Sequence, residues 1–257
     1  MIDFTLDIYR ELLEALQEQN YELISYSDYC KNNKGKYVIL RHDVDAKPEN
    51  SLRTAQIEHS LGARATYYFR VGKGSNVPEV IRAIAALGHE IGYHYEDMSL
   101  CKGDVDKAWS HFQTWLDYFR QYYAVETICM HGAPMSRYDG RELWKKYDYR
   151  SLDIIGEPYL DTNFADVLYL TDTGRCWDGY KISVRDKIPK YQDKWNTRMW
   201  TWHTTPAMLE DIRLDRLPPH VMITTHPQRW TNDQKQWYIE LVTQTAKNFI
   251  KRIWIRN

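Results

Sequence analysis

Leu40-Arg41-His42-Asp43-Val44-Asp45-Ala46 places a histidine and two carboxylates directly behind a short apolar run. The run, residues 37–40, is rich in β-branched and aromatic residues and follows a turn-forming segment at 32–35. This pattern predicts a buried strand with charge at its C-terminal end. Two carboxylates in such a place either raise each other's pKa or share a cation.

The composition argues against a protein that binds polyanions. The 257 residues include 34 Lys and Arg against 35 Asp and Glu, for a net charge of -1, whereas nonspecific nucleic-acid binders are strongly basic. We therefore expect no nucleic-acid partner and favour a small or neutral polar one. No Pro/Gly/Ser-rich linker divides the chain, which predicts one domain over 1–257, with a helix and an edge strand in 1–36 packed on it.

The cysteines and the apolar runs bear on location. Cys30, Cys101, Cys129 and Cys176 lie far apart without Cys-x-x-Cys spacing, which favours a reducing compartment over a disulfide framework or a zinc knuckle. The N-terminus lacks a signal-peptide pattern, and no apolar run approaches the roughly 18 residues that a membrane span needs. The sequence thus predicts a cytoplasmic protein without a membrane span.

Strand-like and helix-like segments alternate along the chain. Predicted strands lie at 37–41, 64–70, 89–93, 126–130, 149–155, 167–171 and 221–225. Predicted helices lie at 3–18, 48–61, 77–87, 104–122, 139–147 and 231–252. Alternation with right-handed crossovers builds an α/β fold with a parallel sheet, and seven strands with about as many helices favour a closed barrel.

The predicted strand ends are rich in histidine. Five of the nine histidines directly follow an apolar run: His42, His94, His131, His203 and His226. A single histidine in such a position is more often a capping or core residue than a ligand. Five together favour a functional site, because in parallel barrels the chemistry collects at the C-terminal strand ends.

Three segments resemble the polysaccharide deacetylase (NodB-homology) superfamily, which contains the carbohydrate esterases of family four. Residues 41–45 look like its paired-aspartate motif, Gly88-His89-Glu90-Ile91-Gly92-Tyr93-His94 like its second motif, and Ile223-Thr224-Thr225-His226-Pro227 like its late strand with a catalytic histidine. The resemblance covers about 37–230. It implies a distorted (β/α)7 barrel of mainly parallel strands in a single domain. It also implies a divalent metal, commonly zinc, used to hydrolyse an N-acyl group from a sugar.

The chain departs from this family pattern at the metal ligands. The family usually has a second metal histidine four residues after the one that corresponds to His94, and here that position is Met98. Glu96, Asp97 and His131 are therefore the candidates for the third ligand. We favour His131, because it occupies its own strand end.

The segment after the fourth predicted strand is altered as well. It reads His131-Gly132-Ala133-Pro134, and the arginine with which the family orients its catalytic aspartate is missing there. Together with residues 172–179, this segment makes the chain similar to an outlying subfamily found in bacterial surface-polysaccharide gene clusters.

The strand-end residues offer the groups that amide hydrolysis needs. Asp45, His94 and His131 are expected to hold a divalent ion that activates water and polarises the acyl carbonyl. A ligand set of nitrogen and oxygen fits zinc best, with iron, cobalt, nickel and manganese as alternatives. Asp43 lies on the same side as Asp45 by strand alternation, so it is the expected general base. His226 is the expected acid that protonates the leaving nitrogen.

Structural alternatives stay open for two of these residues. Asp43 is alternatively a second metal ligand or an ion-pair partner of Arg41 or Arg64, and His226 alternatively has a capping role before Pro227. Both alternatives leave the positions of the residues unchanged and alter only their chemistry.

Three further residues are expected to contact substrate. Asp172, Arg175 and Trp177 follow the sixth predicted strand. Trp177 offers a face on which a sugar ring can stack, and Arg175 offers a clamp for a phosphate or carboxylate. An ordinary surface turn explains the same residues equally well.

The leading hypothesis is a metal-dependent hydrolase that removes an acetyl or formyl group from an amino sugar in bacterial surface-polysaccharide biosynthesis. The amino sugar would be nucleotide-linked, lipid-linked or polymeric. One alternative is a cyclic-amide or ureide hydrolase, because allantoinase-like enzymes share the scaffold. The other is an inactive barrel that only binds glycan, which Met98 and the aromatic content of 14% suggest.

Overall fold

In the described residues, seven parallel strands form the sheet at the centre of the fold. The computed structural model describes residues 2–31, 34–133, 136–181, 183 and 185–256. The strands are β1 Glu22–Ile24, β2 Tyr37–Val44, β3 Thr66–Phe69, β4 Glu90–Tyr95, β5 Ile128–Met130, β6 Leu168–Thr171 and β7 His220–Thr225. Their order in the sheet is β5-β4-β3-β2-β7-β6, with β1 beside the first half of β2. The all-parallel pairing and the curl of the sheet confirm the predicted α/β fold, a distorted (β/α)7 barrel.

Helices connect the strands and cover the sheet. In the described part of the chain they are α1 Leu6–Glu18, α2 Tyr26–Lys31, α3 Pro48–Ser60, α4 Pro78–Ala86, α5 Asp97–Leu100, α6 Val105–Arg120, α7 Pro158–Asp161, α8 Pro189–Thr197, α9 Thr205–Arg213 and α10 Gln234–Arg256. Short 3₁₀ helices occupy Gly140–Lys145, Tyr149–Leu152, Gly179–Lys181 and Pro227–Arg229. The predicted helix at 139–147 is therefore a 3₁₀ helix. None of the described helices combines the length and the apolar character needed to cross a bilayer.

The predicted strand at 149–155 is wrong. Tyr149–Leu152 is a 3₁₀ helix, and Asp153 ends it in a left-handed conformation with φ of 59°. An extended strand cannot pass through that conformation. The edge beyond β5 is continued by a single parallel bridge between Thr127 and Gly156. In the described residues the barrel is therefore open between β5 and β6.

The N-terminal helix and the edge strand pack against the sheet. The side chain of Thr5 caps α1 by accepting a hydrogen bond from the backbone N–H of Ile8 (3.2 Å), and Leu12, Leu13 and Leu16 of α1 are buried. Residues 22–24 pair in parallel with 37–39. The predicted domain bounds of 1–257 stay a prediction. Asn32 and Asn33 of the predicted turn, and Pro134 of the altered segment, lie outside the described residues.

Candidate metal centre and active site

The residues at the end of β2 are divided between the two faces of the sheet. Arg41 and Asp43 contact each other on one face, whereas His42 faces α3 and binds Glu58. Successive side chains of a strand point to opposite faces, so neighbours in sequence enter different environments. His42, although it follows an apolar run, therefore takes no part in the cluster around Asp43.

Asp45, His94 and His131 form a triangle of potential metal ligands just beyond the strand ends. Their ligand atoms all lie within 4.8 Å of one another. Nε2 of His94 is 3.8 Å from Oδ1 of Asp45, and Nε2 of His131 is 3.5 Å from the same oxygen. Ligand atoms about 2.1 Å from a tetrahedral zinc ion lie roughly 3.4 Å apart. The triangle is thus close to the size of a zinc site.

Hydrogen bonds orient both imidazoles of the triangle. Nδ1 of His94 lies 3.0 Å from the carbonyl oxygen of Cys129, and Nδ1 of His131 lies 3.1 Å from Oε2 of Glu96. Both partners only accept, so we assign the ring proton to Nδ1 in each case. Nε2 then carries a free lone pair that faces Asp45. Metal-binding histidines are oriented in the same way by a second hydrogen bond.

One oxygen of the Asp45 carboxylate lacks a hydrogen-bond donor among the described residues. This oxygen, Oδ1, is buried from solvent and has no hydrogen-bond partner within the described ranges of the chain. Nη1 of Arg70 lies 3.8 Å away, which is too long for a hydrogen bond. A buried carboxylate oxygen without a donor is costly, and a divalent cation between it and two imidazole lone pairs would supply the missing partner. These residues therefore fit the implied metal, and the nitrogen and oxygen donors suit zinc.

Glu96 supports His131 and is not placed as a ligand itself. Arg70 donates two hydrogen bonds to the Glu96 carboxylate, of 3.0 and 2.8 Å. Burial acts to raise the pKa of Glu96, but the hydrogen bonds from His131 and Arg70 outweigh it and lower the pKa to about 2. Glu96 is thus an ionised acceptor that fixes the imidazole of His131.

The other candidates for the third ligand face elsewhere. The Asp97 carboxylate accepts hydrogen bonds of 3.0 and 2.9 Å from the hydroxyl of Tyr93 and pairs with His111. Met98 is buried in the core. Among the three candidates from the sequence, His131 is the one that the structure brings to Asp45.

Arg41 holds Asp43 in place beside the triangle. Its guanidinium donates to both carboxylate oxygens of Asp43, with Nε–Oδ1 at 2.9 Å and Nη2–Oδ2 at 2.7 Å. Burial acts to raise the pKa of Asp43, but the charge and the hydrogen bonds of Arg41 hold it well below the usual range. Oδ2 of Asp43 lies 3.6 Å from Nε2 of His94. Asp43 is therefore charged, fixed and adjacent to the potential ligands, and its pairing with Arg41 matches one of the structural alternatives open from the sequence.

An arginine does hold Asp43 in this chain, but it does not lie in the segment after the fourth strand. The motif resemblance implies such an arginine after the fourth strand, whereas Arg41 lies two residues before Asp43 on β2 itself. Strand alternation puts residues at i and i+2 on one face. The spacing alone was sufficient to predict that Arg41 pairs with Asp43. From the sequence, this pair is only an alternative to the role of Asp43 as general base.

His226 closes the site from the end of β7. Its Nε2 is 3.9 Å from Oδ2 of Asp45, while Nδ1 is 2.6 Å from Oδ1 of Asp172. Burial and the charge of Arg229 act to lower the pKa of His226, but the carboxylate of Asp172 outweighs them and raises it. The imidazole is therefore favoured in its protonated form with Nε2 turned toward the triangle.

Asp172 orients His226 rather than facing the open side of the site. Its carboxylate is fully buried and accepts hydrogen bonds from the backbone N–H of His226 (2.9 Å) and from Nε1 of Trp230 (2.8 Å). Arg229 also donates to it. Burial opposes ionisation, but the charges of Arg229 and His226 lower the pKa of Asp172 to about 2. Sequence reasoning missed Arg229 and Trp230, which follow His226 in a 3₁₀ turn.

Arg175 and Trp177 are not brought to the triangle. The guanidinium of Arg175 lies over the rings of Phe4 and Trp237, with centroid distances of 4.8 and 5.0 Å. Trp177 is buried and donates from Nε1 to Oγ1 of Thr205 (2.9 Å). The roles of Asp172, Arg175 and Trp177 in substrate binding stay predictions.

Asp186 is a buried carboxylate near the site that the sequence did not single out. It accepts hydrogen bonds from hydroxyls of Tyr159 (3.0 Å) and Thr171 (2.7 Å), and also from those of Tyr169 and Thr173. Burial acts to raise its pKa, but the charges of His226 and Arg41 lower it. Asp186 follows no predicted strand, and no pattern in the sequence marked it.

Sequence comparisons did not identify a family for this chain. No family model matches the chain, and no curated protein matches it. Solved structures do match it. A family 4 carbohydrate esterase (CE4) from Streptococcus mutans is 15% identical with a TM-score of 0.46, over 93% of this chain and 90% of the esterase. A family 4 carbohydrate esterase from Bacillus subtilis is 10% identical with a TM-score of 0.43, over 92% and 83%.

The likeness is to the carbohydrate esterases of family 4. It includes a CE4 family pseudoenzyme from Bacillus anthracis, which is 14% identical with a TM-score of 0.45, over 86% of this chain and 63% of the pseudoenzyme. The chain therefore spans less than two thirds of the length of that protein. Because the identities are below 25% and the TM-scores below 0.5, the function is inferred below from the geometry of the site.

Proposed function

We propose that the chain is a metal-dependent hydrolase that removes an N-acyl group, acetyl or formyl, from an amino sugar. The observation that carries this proposal is the arrangement at Asp45. Its buried Oδ1 has no donor among the described residues, and the Nε2 atoms of His94 and His131 face it at 3.8 and 3.5 Å. Such an arrangement is typical of a divalent metal site with three protein ligands.

The residues around the triangle have the chemistry of amide hydrolysis. When bound, a divalent ion lowers the pKa of water and polarises a carbonyl. Asp43, held by Arg41 at 2.9 and 2.7 Å, is an ionised carboxylate that accepts a proton from the attacking water. His226, held by Asp172 at 2.6 Å, delivers a proton from Nε2 to the leaving nitrogen. The base thus lies on β2 and the acid directly after β7.

The pKa values of Asp43 and His226 are shifted in opposite directions, and this supports their roles as base and acid. The charge of Arg41 keeps the pKa of Asp43 low, whereas Asp172 raises the pKa of His226. Asp43 is thus favoured in the form that accepts a proton, and His226 in the form that donates one. Pairs of groups whose environments push their pKa values apart mark acid and base assignments.

The substrate class rests on the motif resemblance. The segments at 41–45, 88–94 and 223–227 resemble deacetylases that act on amino sugars, and residues 131–136 and 172–179 resemble relatives from surface-polysaccharide gene clusters. We infer a cytoplasmic step of bacterial surface-polysaccharide biosynthesis, with a nucleotide-linked, lipid-linked or polymeric amino sugar as substrate. The inactive, glycan-binding alternative rested on Met98 and on the aromatic content, and the position of His131 beside Asp45 weakens the first of these reasons.

The test is a search for released acid. The protein would be loaded with Zn²⁺, Co²⁺ or Mn²⁺ and incubated with N-acetylated and N-formylated amino sugars, free and nucleotide-linked, and with allantoin as the cyclic-amide comparison. We expect acetate or formate from at least one amino sugar, with release slowed by about 10²–10⁴ in Asp43→Asn. Hydrolysis of allantoin alone would assign the alternative reaction, and binding of glycan without release under any metal would refute the proposed activity.

A further inference from the structure

The guanidinium of Arg41 has few hydrogen-bond partners for a fully buried cation. Arg41 is 0% exposed and donates from Nε and Nη2 to Asp43. Nη2 also donates to the hydroxyl of Tyr159 (3.2 Å), whereas Nη1 is buried without a partner in the part of the chain that the structure describes. A guanidinium offers N–H donors on all three nitrogens. Among the described residues, the Tyr159 hydroxyl is therefore the one group besides Asp43 that fixes the orientation of Arg41 by a hydrogen bond.

Two tyrosine rings neighbour this guanidinium, and only one of their hydroxyls bonds to it. Cζ of Arg41 lies 4.7 Å from the ring centroid of Tyr159 and 5.9 Å from that of Tyr68. The face of either ring attracts the cation without fixing its rotation. The hydroxyl of Tyr68 lies 2.9 Å from Oγ1 of Thr127 instead. Tyr159 thus differs from Tyr68 by the hydrogen bond that its hydroxyl makes with Arg41.

A buried carboxylate fixes the backbone of Tyr159. Glu157 is 0% exposed, and its Oε2 accepts hydrogen bonds from the backbone N–H groups of Tyr159 (2.6 Å) and Leu160 (2.9 Å), which caps α7. Its Oε1 accepts from the backbone N–H of Met130 (2.9 Å), the last residue of β5. Glu157 therefore ties α7, and with it Tyr159, to the end of β5.

The hydroxyl of Tyr159 is fixed from the other side of the barrel opening. It donates to Oδ1 of Asp186 (3.0 Å), and Oδ2 of that carboxylate accepts from the hydroxyl of Thr171 on β6 (2.7 Å). A phenol that donates to a carboxylate is also a better acceptor, because linked hydrogen bonds polarise one another. A chain of hydrogen bonds thus runs from Asp43 through Arg41 and Tyr159 to Asp186, from the proposed base to the edge of the sheet at β6.

We propose that Tyr159 is a positioning residue for the base, Asp43. It acts through Arg41 rather than on the substrate, because its hydroxyl holds the guanidinium in the orientation that binds both oxygens of Asp43. This inference rests on the proposed function, in which Asp43 accepts a proton from the attacking water. A base that is slightly misplaced loses much of its effect on the chemical step, so loss of the hydroxyl should lower kcat and leave KM unchanged.

The first test compares Tyr159→Phe with the matched control Tyr68→Phe. Each variant removes one hydroxyl and keeps the ring beside Arg41, and urea unfolding would verify that both proteins are folded. We expect kcat for acid release to fall about 10- to 100-fold in Tyr159→Phe and to stay unchanged in Tyr68→Phe. The affinity for Zn²⁺ should be unchanged in both variants, because neither hydroxyl bonds to a proposed ligand.

The second test needs no activity. Hydrogen bonds on a guanidinium slow the exchange of its Nη protons with water, which NMR of the ¹⁵N-labelled protein measures. We expect slowly exchanging Nη protons for Arg41, assigned by their absence in Arg41→Lys. Their exchange should be faster in Tyr159→Phe and unchanged in Tyr68→Phe.

Three results would overturn the inference. They are unchanged exchange in Tyr159→Phe, an unchanged kcat in that variant, and an equal loss of kcat in Tyr68→Phe. If the wild type released no acid from any amino sugar, the proposed function would fail instead. The exchange rates would then still decide whether Tyr159 holds Arg41.

Discussion

Two clusters of histidine and carboxylate lie back to back at the end of β2. On one face, Asp43 and Asp45 lie next to His94, His131 and His226. On the other face, His42 lies between Glu58 of α3 and Thr225 of β7, with ring nitrogens 2.7 and 2.6 Å from their side-chain oxygens. Both clusters combine histidine with carboxylates, and both include residues from the stretch 40–46: Asp43 and Asp45 in the first and His42 in the second.

The clusters differ in how completely their polar atoms are paired. The Glu58 carboxylate accepts hydrogen bonds from Tyr67 (2.6 Å) and Tyr9 as well as bonding to His42, and the exposed surface of His42 and Glu58 is 0%. In contrast, Asp45 has a buried oxygen with no donor in the described residues. Buried polar groups are normally satisfied, so the unsatisfied cluster is the one that is built to receive a ligand. A histidine next to a carboxylate is by itself no evidence of function.

The largest effect is expected from removing the proposed base. Asp43→Asn keeps a hydrogen-bond acceptor for Arg41 but cannot accept a proton, and loss of a general base lowers kcat by about 10²–10⁴. Zinc content should be unchanged, because Asp43 is not one of the three proposed ligands. Acid release would be measured beside metal content, and loss of metal together with activity would show that Asp43 is a ligand instead.

A change in the opposite cluster should affect stability and leave the chemistry intact. His42→Ala leaves the Glu58 carboxylate buried without its histidine, which should lower the free energy of unfolding by about 3 kcal/mol. The measurement is urea unfolding, with kcat and metal content determined per folded molecule. If His42→Ala lost metal or activity while still folded, the division between the two faces would be incorrect.

Removing the carboxylate that orients His226 should have a smaller effect on kcat and should also change the dependence of kcat on pH. Asp172→Asn removes the charge that raises the pKa of His226, while burial and Arg229, which lower that pKa, remain. The protonated imidazole is then lost at lower pH, so the alkaline limb of the profile of kcat against pH should shift to lower pH. We expect kcat at the optimum to fall roughly a hundredfold. A uniform loss without a shift would indicate a merely structural role.

The smallest effect is expected from weakening the hydrogen bond between Glu96 and His131. Glu96→Gln removes the charged acceptor of the His131 Nδ1 proton, and loss of such a partner weakens metal affinity by about 10- to 100-fold. Competition with a chromogenic chelator would measure the dissociation constant. Asp97→Asn is the matched control, because Asp97 neighbours Glu96 but bonds to Tyr93 and His111. Equal affinities of the two variants would contradict the proposed support.

The sequence was informative wherever a local rule was sufficient. Strand alternation predicted that Asp43 and Asp45 share a side, and the strand-end rule favoured His131 over Glu96 and Asp97. The same alternation separates His42 from its neighbours. The predicted strand at 149–155 failed because a left-handed residue, Asp153, follows a 3₁₀ turn there.

Partners distant in sequence were the hardest to predict. Asp172 and His226 are 54 residues apart, and the pairing of Thr171 with Thr224 between β6 and β7 brings them together. No spacing in the sequence records such a pairing, so the contact of Asp172 with His226 was not predicted. Arg70 and Asp186 were missed for the same reason, since their roles depend on contacts between separate strand ends and loops.

The most direct test of the central claim is zinc binding by the protein and by His131→Ala. Equilibrium dialysis would compare the wild type, His131→Ala, Asp45→Asn and the control Asp97→Asn. We predict one equivalent of zinc in the wild type and the control, and a large loss of affinity in the other two. A wild type that binds no zinc, or a His131→Ala variant that binds it as tightly as the wild type, would contradict a metal centre made of Asp45, His94 and His131.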